Sequence, residues 1–145
     1  DTVTFHAGYQ NQYAIGLDIC QPYDPNEERH RRAVENNPDI YGSLSTVTNP
    51  LAGFDRGPRD VYDITDSNLN NTAIVIVSIL RALGKDLILP SVDEIVNEGR
   101  TYTVQQILQR GWVVVPHSAT SANRYDVVQW WAKITERLRQ KWNAS

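Results

Sequence analysis

Apolar residues at Val104, Ile107 and Leu108 fall three and four positions apart, the spacing that lines one face of a helix. Thr103 stands before this stripe as a cap. Gly111 stands after it as a stop, because only glycine enters the left-handed region without a Cβ penalty. The pattern then changes. Trp112-Val113-Val114-Val115 is apolar at successive positions and rich in β-branched residues, as in a strand covered on both faces, and Pro116-His117-Ser118 is a polar turn. These residues predict a helix Val104–Arg110, a strand Trp112–Val115 and polar groups at the strand's carboxyl end, where α/β folds bind ligands.

The same period counting extends along the chain. Thr2–Phe5 alternates like a strand, and Tyr13–Cys20 is a second strand candidate halted by Gln21-Pro22-Tyr23-Asp24-Pro25. Asp24 as cap, Pro25 at the first helical position and Glu27/Glu28 in the first turn open a helix that runs to Glu35 and ends at Asn36-Asn37-Pro38. Ile40–Thr48 reads as a strand and Asn49–Pro58 as a loop. From Asn70 to Leu83 the Ile-Val-Ile-Val centre favours a strand, whereas Asn70/Asn71 as caps, polar Ser78, Arg81 and Lys85 and the stop at Gly84 favour a helix. Helix is the better assignment, because a strand there leaves only about six residues before Leu87-Ile88-Leu89, short of a parallel crossover. Ser91 caps a short helix, Val92–Glu98. A last helix, Asn123–Trp142, aligns Val127, Trp131, Ile134, Leu138 and Trp142. The expectation is a single α/β domain, residues 1–145, with parallel strands and flanking helices, in a half TIM-barrel-like or open-sheet form.

Composition narrows the possibilities modestly. The 145 residues carry a formal net charge of −3, and the longest apolar run, Ala73 to Leu83, is broken by Ser78 and Arg81 and is too short to span a bilayer. The chain opens at Asp1 without a charged-then-apolar leader, and a lone Cys20 forms no internal disulfide, so a cytoplasmic compartment is expected. No Cys/His spacing resembles a metal site. Residues 1–80 hold 5 basic and 11 acidic groups and residues 81–145 hold 9 and 6, which makes the second half the better place for an anion.

Three passages, in order, resemble the C-terminal half of the aldo-keto reductase family. The helix ending Gln109-Arg110-Gly111 and leading into Trp112–Val115-Pro116-His117-Ser118, with Arg124 soon after, is similar to the segment in which that family's strand ends Ile-Pro-Lys-Ser. Val47-Thr48-Asn49-Pro50-Leu51-Ala52-Gly53 resembles its Tyr-Ser-Pro-Leu-Ala-Gly loop, and Cys20-Gln21-Pro22-Tyr23 its His-Pro-Tyr. The resemblance implies NADP(H) binding. His117, Ser118 and Arg124 would hold the 2′-phosphate, and Asn49, Pro50 and Leu51 would lie beside the pyrophosphate. A hydroxyl, an imidazole and a guanidinium suit a phosphate dianion. The sequence departs from the family at His117, where the family has Lys, at Thr48, where it has Tyr, and at Gly16-Leu17, where it has Asn-Gln. The family's catalytic Asp, Tyr, Lys and His belong to a half that is not represented. The resemblance therefore implies an NADP(H)-binding module that is partial or non-catalytic in this chain alone, either part of a complete carbonyl reductase or a remnant without turnover, and the open edges of a half-barrel imply self-association or a partner chain.

Two other functions fit the pattern. Asn71–Leu83, Leu87–Leu89, Val92–Glu98, Val104–Arg110 and Trp112–Val115 also follow the order of a winged helix-turn-helix. Thr101, Tyr102, Thr103, Gln105, Gln106 and Gln109 would then face DNA between Arg100 and Arg110. The acidic total opposes this, since phosphate neutralisation supplies most nonspecific affinity. The third possibility is an assembly or scaffolding domain whose Trp-rich last helix docks a partner.

Overall fold

Capping chemistry sets where the helices begin and end. The structure, a computed structural model, describes residues 14–42, 44–50, 58–121 and 126–145. Helix α1 (Glu28–Asn36) carries Glu28 in its first turn, and Asn37 Nδ2 donates back to Ala33 O at 2.7 Å. Pro38 then opens a four-residue helix, α2 (Pro38–Tyr41), which stops at Gly42 with φ 50°. The long helix α3 (Asp66–Ala82) starts one turn earlier than the pattern predicts, because Thr65 rather than Asn70 or Asn71 caps it, its Oγ1 accepting from Asn68 N at 3.1 Å.

Ser91 Oγ accepts from Glu94 N and the Glu94 carboxylate accepts from Ser91 N, at 3.1 and 3.0 Å, opening a π-helical turn over Asp93–Asn97. Helix α4 (Val104–Arg110) has the same reciprocal box between Thr103 and Gln106 and ends at Gly111 with φ 68°. Short 3₁₀ turns at His117–Ala119 and Val128–Trp130 lead to helix α5 (Trp131–Ala144).

The expected parallel sheet is absent among the described residues. Strands β1 (Thr46–Asn49) and β2 (Arg59–Tyr62) pair antiparallel, Thr46 opposite Tyr62 and Asn49 opposite Arg59, and they are the only strands there. Over the described residues the chain is therefore helix-rich with one two-stranded sheet, not an α/β fold of half TIM-barrel-like or open-sheet form.

The reason is visible at Trp112–Val115. This run is extended but only partly buried, and Val113 N donates to Ile88 O at 2.9 Å without a ladder continuing from it. Trp112, Val114 and Val115 pack instead against the helical core. An apolar β-branched run is as well buried in a connector lying on helices as in a central strand. Leu87–Leu89 and residues 14–20 are likewise outside any strand, and Pro38 converts the start of the expected Ile40–Thr48 strand into α2. The Thr2–Phe5 strand, Tyr13 and the expected start of the last helix at Asn123 lie outside the described residues.

The core forms where α3 meets α5. Leu69, Ala73, Val77 and Leu80 line the inner face of α3, and Trp131, Ile134, Thr135 and Leu138 line that of α5. Ile95, Tyr102, Ile107, Ala119, Val128 and Trp130 complete it. Trp130 joins this core to the sheet, its indole Nε1 donating to Tyr62 O at 3.1 Å. The turn into it is strained, since Val127 takes φ 59°, a region that disfavours β-branched residues. At the far end Arg81 lies 3.5 Å over the Trp142 ring and donates to Trp142 O and Ser145 Oγ, tying the ends of α3 and α5 together. No helix among the described residues is long and apolar enough to cross a membrane.

Two leucines test this partition. Leu138 is 0% exposed and Leu108 63%. Leu138→Ala is expected to cost about 2–5 kcal/mol, and Leu108→Ala to stay within about 0.5 kcal/mol, in urea midpoints at unchanged slope.

Candidate functional site

Polar chemistry concentrates where residues 21–24 cross the sheet. Tyr62 N donates to Tyr23 O at 2.8 Å, which lays this segment against β2. Asn49, at the end of β1 and 0% exposed, donates from Nδ2 to Tyr23 Oη and to Gln129 Oε1, both at 3.0 Å. Asp24 is buried and ion-paired with Arg59, its Oδ1 accepts from Asn26 N at 2.9 Å, and its own N–H donates to His30 Nδ1 at 2.8 Å. Burial pushes the Asp24 carboxyl up, but the Asn26 N–H, the Arg59 guanidinium and the His30 ring outweigh it and hold it below the ordinary 3.8.

Gln21 fastens the same crossing at its other side. Its Nε2 donates to Asp63 O at 2.7 Å and its Oε1 accepts from Thr65 N and Asn68 Nδ2 at 3.2 and 3.1 Å. Asp63 is in turn ion-paired with Lys133 of α5. Each of these groups is occupied by another part of the chain, so the network acts as a clamp. Its chemistry is that of buried polar groups meeting their partners.

Of the expected cofactor residues, Leu51 and Arg124 lie outside the described residues. Asn49 is held in the clamp, with Pro50 partly buried beside it. His117 and Ser118 are consecutive in a 3₁₀ turn. His117 Nδ1 lies 3.1 Å from Asp126 Oδ2, and Ser118 Oγ is buried without a partner among the described residues. Asn49 and His117 both reach the 126–130 segment, through Gln129 and Asp126, yet His117 faces a carboxylate there, a neighbour that repels phosphate.

The would-be recognition helix is also neutralised. Arg110 reaches Glu94 at 2.6 Å and lies 5.0 and 4.8 Å from the Tyr102 and Trp112 ring centroids, and Arg100 reaches Glu98 at 2.8 Å. The Ser91 N–H is the main cause that lowers the Glu94 carboxyl, burial opposes it, and the Ser91 hydroxyl and Arg110 add to the lowering. A groove of about 310 Å³ between the start of α3 and α5 carries Lys133 and Arg137, each matched by an aspartate, Asp63 and Asp66. Among the described residues no cluster of three His, Cys, Asp or Glu could hold a metal ion.

One surface goes unnoticed in the pattern. Ser67, Asn71, Ile74, Val75, Ser78 and Ala82 share the face of α3 opposite the core, and all six are exposed, Ile74 to 44% and Val75 to 40%. From Ser67 to Leu80 the helix holds no charged residue. A solvent-facing helix ordinarily carries charge on its outer face, and a helix apolar all round is ordinarily covered. The signal is present in the Ile-Val-Ile-Val run, whose apolar residues are too many for one face.

No protein-family model, no characterised protein and no solved structure matches this chain.

Two substitutions test the assignments made here. Ser118→Ala removes an orphaned buried hydroxyl and is expected to leave stability unchanged or raise it by about 1 kcal/mol; a hydroxyl that binds phosphate would instead reveal itself as lost NADP(H) affinity in calorimetry. Arg59→Met leaves the Asp24 carboxylate buried without its cation and is expected to cost about 3 kcal/mol at pH 7. Because the native carboxyl is lowered, its stabilisation is in full above 3.8 and is lost as pH falls through the native value. The gap between wild type and Arg59→Met should accordingly narrow in urea titrations at about pH 3.

Proposed function

We propose that this chain is an assembly module, whose work is to associate with protein through the outer face of α3. The carrying observation is the uncharged exposed stripe centred on Ile74 and Val75. Supporting it, the polar groups singled out as candidate ligand contacts are engaged within the fold: Asn49 and Asp24 in the clamp, Arg110 and Arg100 on glutamates, Lys133 and Arg137 on aspartates. Ile74 and Val75 are adjacent exposed apolar side chains on a helix face without charge, a surface suited to contact with another protein.

A second function has one observation in its favour. The Val113–Ile88 backbone bond brings the extended segment after α4 beside the one after α3, as a winged helix-turn-helix requires. Charge favours the assembly reading over it, because the chain is acidic overall and each arginine flanking α4 has a carboxylate partner.

Calorimetric titration separates the possibilities. Assembly predicts no heat with NADP(H), NAD(H) or duplex DNA. Binding of NADP(H) in preference to NAD(H) would restore the reductase-like cofactor module, and a salt-sensitive heat with DNA would establish the winged helix. Ile74→Lys is expected to change folding stability by less than about 0.5 kcal/mol, since the side chain contributes little to the monomer's core, whereas Val77→Lys on the inner face is expected to unfold the chain, as read by circular dichroism.

A further inference from the structure

We infer that His30 is a pH-operated latch, whose neutral ring holds α1 to the segment that crosses the sheet and whose protonation at Nδ1 lets the helix go. This device does not depend on the outer face of α3.

Helix α1 has little else to hold it. None of its residues is buried, and Glu27 at its N-cap makes no side-chain capping bond. Three of its arginines bond locally: Arg29 reaches Glu27, Arg31 the Pro25 carbonyl and Arg32 Glu28. Nine residues of helix are marginal in water without tertiary support. The His30 ring supplies it, since Nδ1 accepts from Asp24 N at 2.8 Å and more weakly from Tyr23 N at 3.4 Å. Both of those residues are fixed to the sheet, Tyr23 through Tyr62 N and Asp24 through Arg59.

Two backbone donors converging on Nδ1 also fix the tautomer. They require a lone pair there, so the ring proton sits on Nε2, which lies 3.6 Å from Glu27 Oε2. A second proton has only Nδ1 to go to. Once there it turns the acceptor into a donor aimed at two N–H groups, and the ring has to turn away from both.

The charged groups facing the ring are Asp24 and Glu27, and each favours the cation. Their pull is offset, because Arg59 pairs with the first and Arg29 lies 3.0 Å from the same oxygen of the second. The sign follows from proton counting. The latched ring carries one proton and the released cationic ring two, so the latch holds at high pH and opens as pH falls through the imidazole range. The Asp24 carboxyl, held below 3.8, stays ionised throughout. Arg59 therefore keeps the crossing segment on the sheet while α1 leaves.

Amide hydrogen exchange of the full chain, followed by NMR at about pH 7.5 and about pH 5.5 with each rate referred to its intrinsic value, tests the latch. A released imidazole titrating at about 6.5 gives an opening constant about tenfold larger at the lower pH. Protection of the Asp24 amide and of the Arg32–Glu35 amides should fall by about that factor, while the Leu138 amide in α5 keeps its own. At the higher pH a ring proton–nitrogen correlation should show Nδ1 unprotonated. His30→Asn sets an amide oxygen near the place of Nδ1, where it accepts the same N–H groups without titrating, and should keep the protection at both pH values. His30→Ala should lose it at both.

A ring protonated at Nδ1 at about pH 7.5, or wild-type protection that is equal at the two pH values, overturns the latch. So does protection that survives His30→Ala, since α1 is then held by something else. A fall at low pH that His30→Asn shares assigns the pH response to another group and overturns it as well.

Discussion

A two-stranded ribbon of four-residue strands cannot hold itself in water, and much of this structure answers that constraint. Trp130 provides the principal support. Its indole N–H meets the carbonyl of Tyr62 on β2, its ring packs edge-on to Tyr23 at 6.3 Å, and its backbone leads directly into α5. One residue thereby fixes the sheet, the crossing segment and the last helix relative to one another. Trp131, 2% exposed, then carries the burial into the α3–α5 interface. The left-handed Val127 follows from the same demand: the chain must turn sharply to deliver two consecutive tryptophans to two different layers.

The polar clamp complements this hydrophobic joint. Tyr23 and Asn49 are 26 residues apart in sequence, and Asp24 and Arg59 are 35 apart, so their bonds hold the tertiary arrangement rather than any local element. A set of buried polar residues at a strand end resembles a binding site when seen in sequence alone. Here their partners are one another, and a buried polar group satisfied internally is a structural device.

Local chemistry is legible in the sequence wherever the cause is local. Thr103 and Gln106 form the capping box, Gly111 takes the left-handed conformation, and Ser91 opens the next turn, because caps depend on neighbours within three residues. Ile-Val-Ile-Val is helical because Thr65 caps its helix and Leu69, Ala73, Val77 and Leu80 fall on one buried face against α5; the same assignment drawn from crossover length presupposes a parallel sheet, which is absent among the described residues. The sheet is not legible. Whether Trp112–Val115 becomes a strand depends on which surface it meets, and β-branched composition reports burial rather than partner. Arg59–Tyr62 is a strand with two charged residues in four, its pairing dictated by β1 and its inner positions by Trp130. Asn49, His117 and Ser118 stand out as polar positions flanking apolar runs, but where their side chains point, Asn49 inward to Tyr23 and Gln129, His117 across to Asp126 and the Ser118 hydroxyl into a buried position without a partner among the described residues, is a tertiary property.

The uncharged stretch of α3 has a further consequence once the helix melts. Ile74-Val75-Ile76-Val77 is a window of high β-propensity without charge or proline, bounded by the nearest charges at Asp66 and Arg81. Folded as a helix, its inner residues are locked against α5 and its backbone donors are used internally. Unfolded, the same window offers a continuous strand edge to any other chain in the same state, and no flanking charge stands close enough to interrupt the pairing. Separation of α3 from α5 therefore exposes a segment suited to cross-β pairing, so the packing that protects the core also shields this chain from association in its unfolded state.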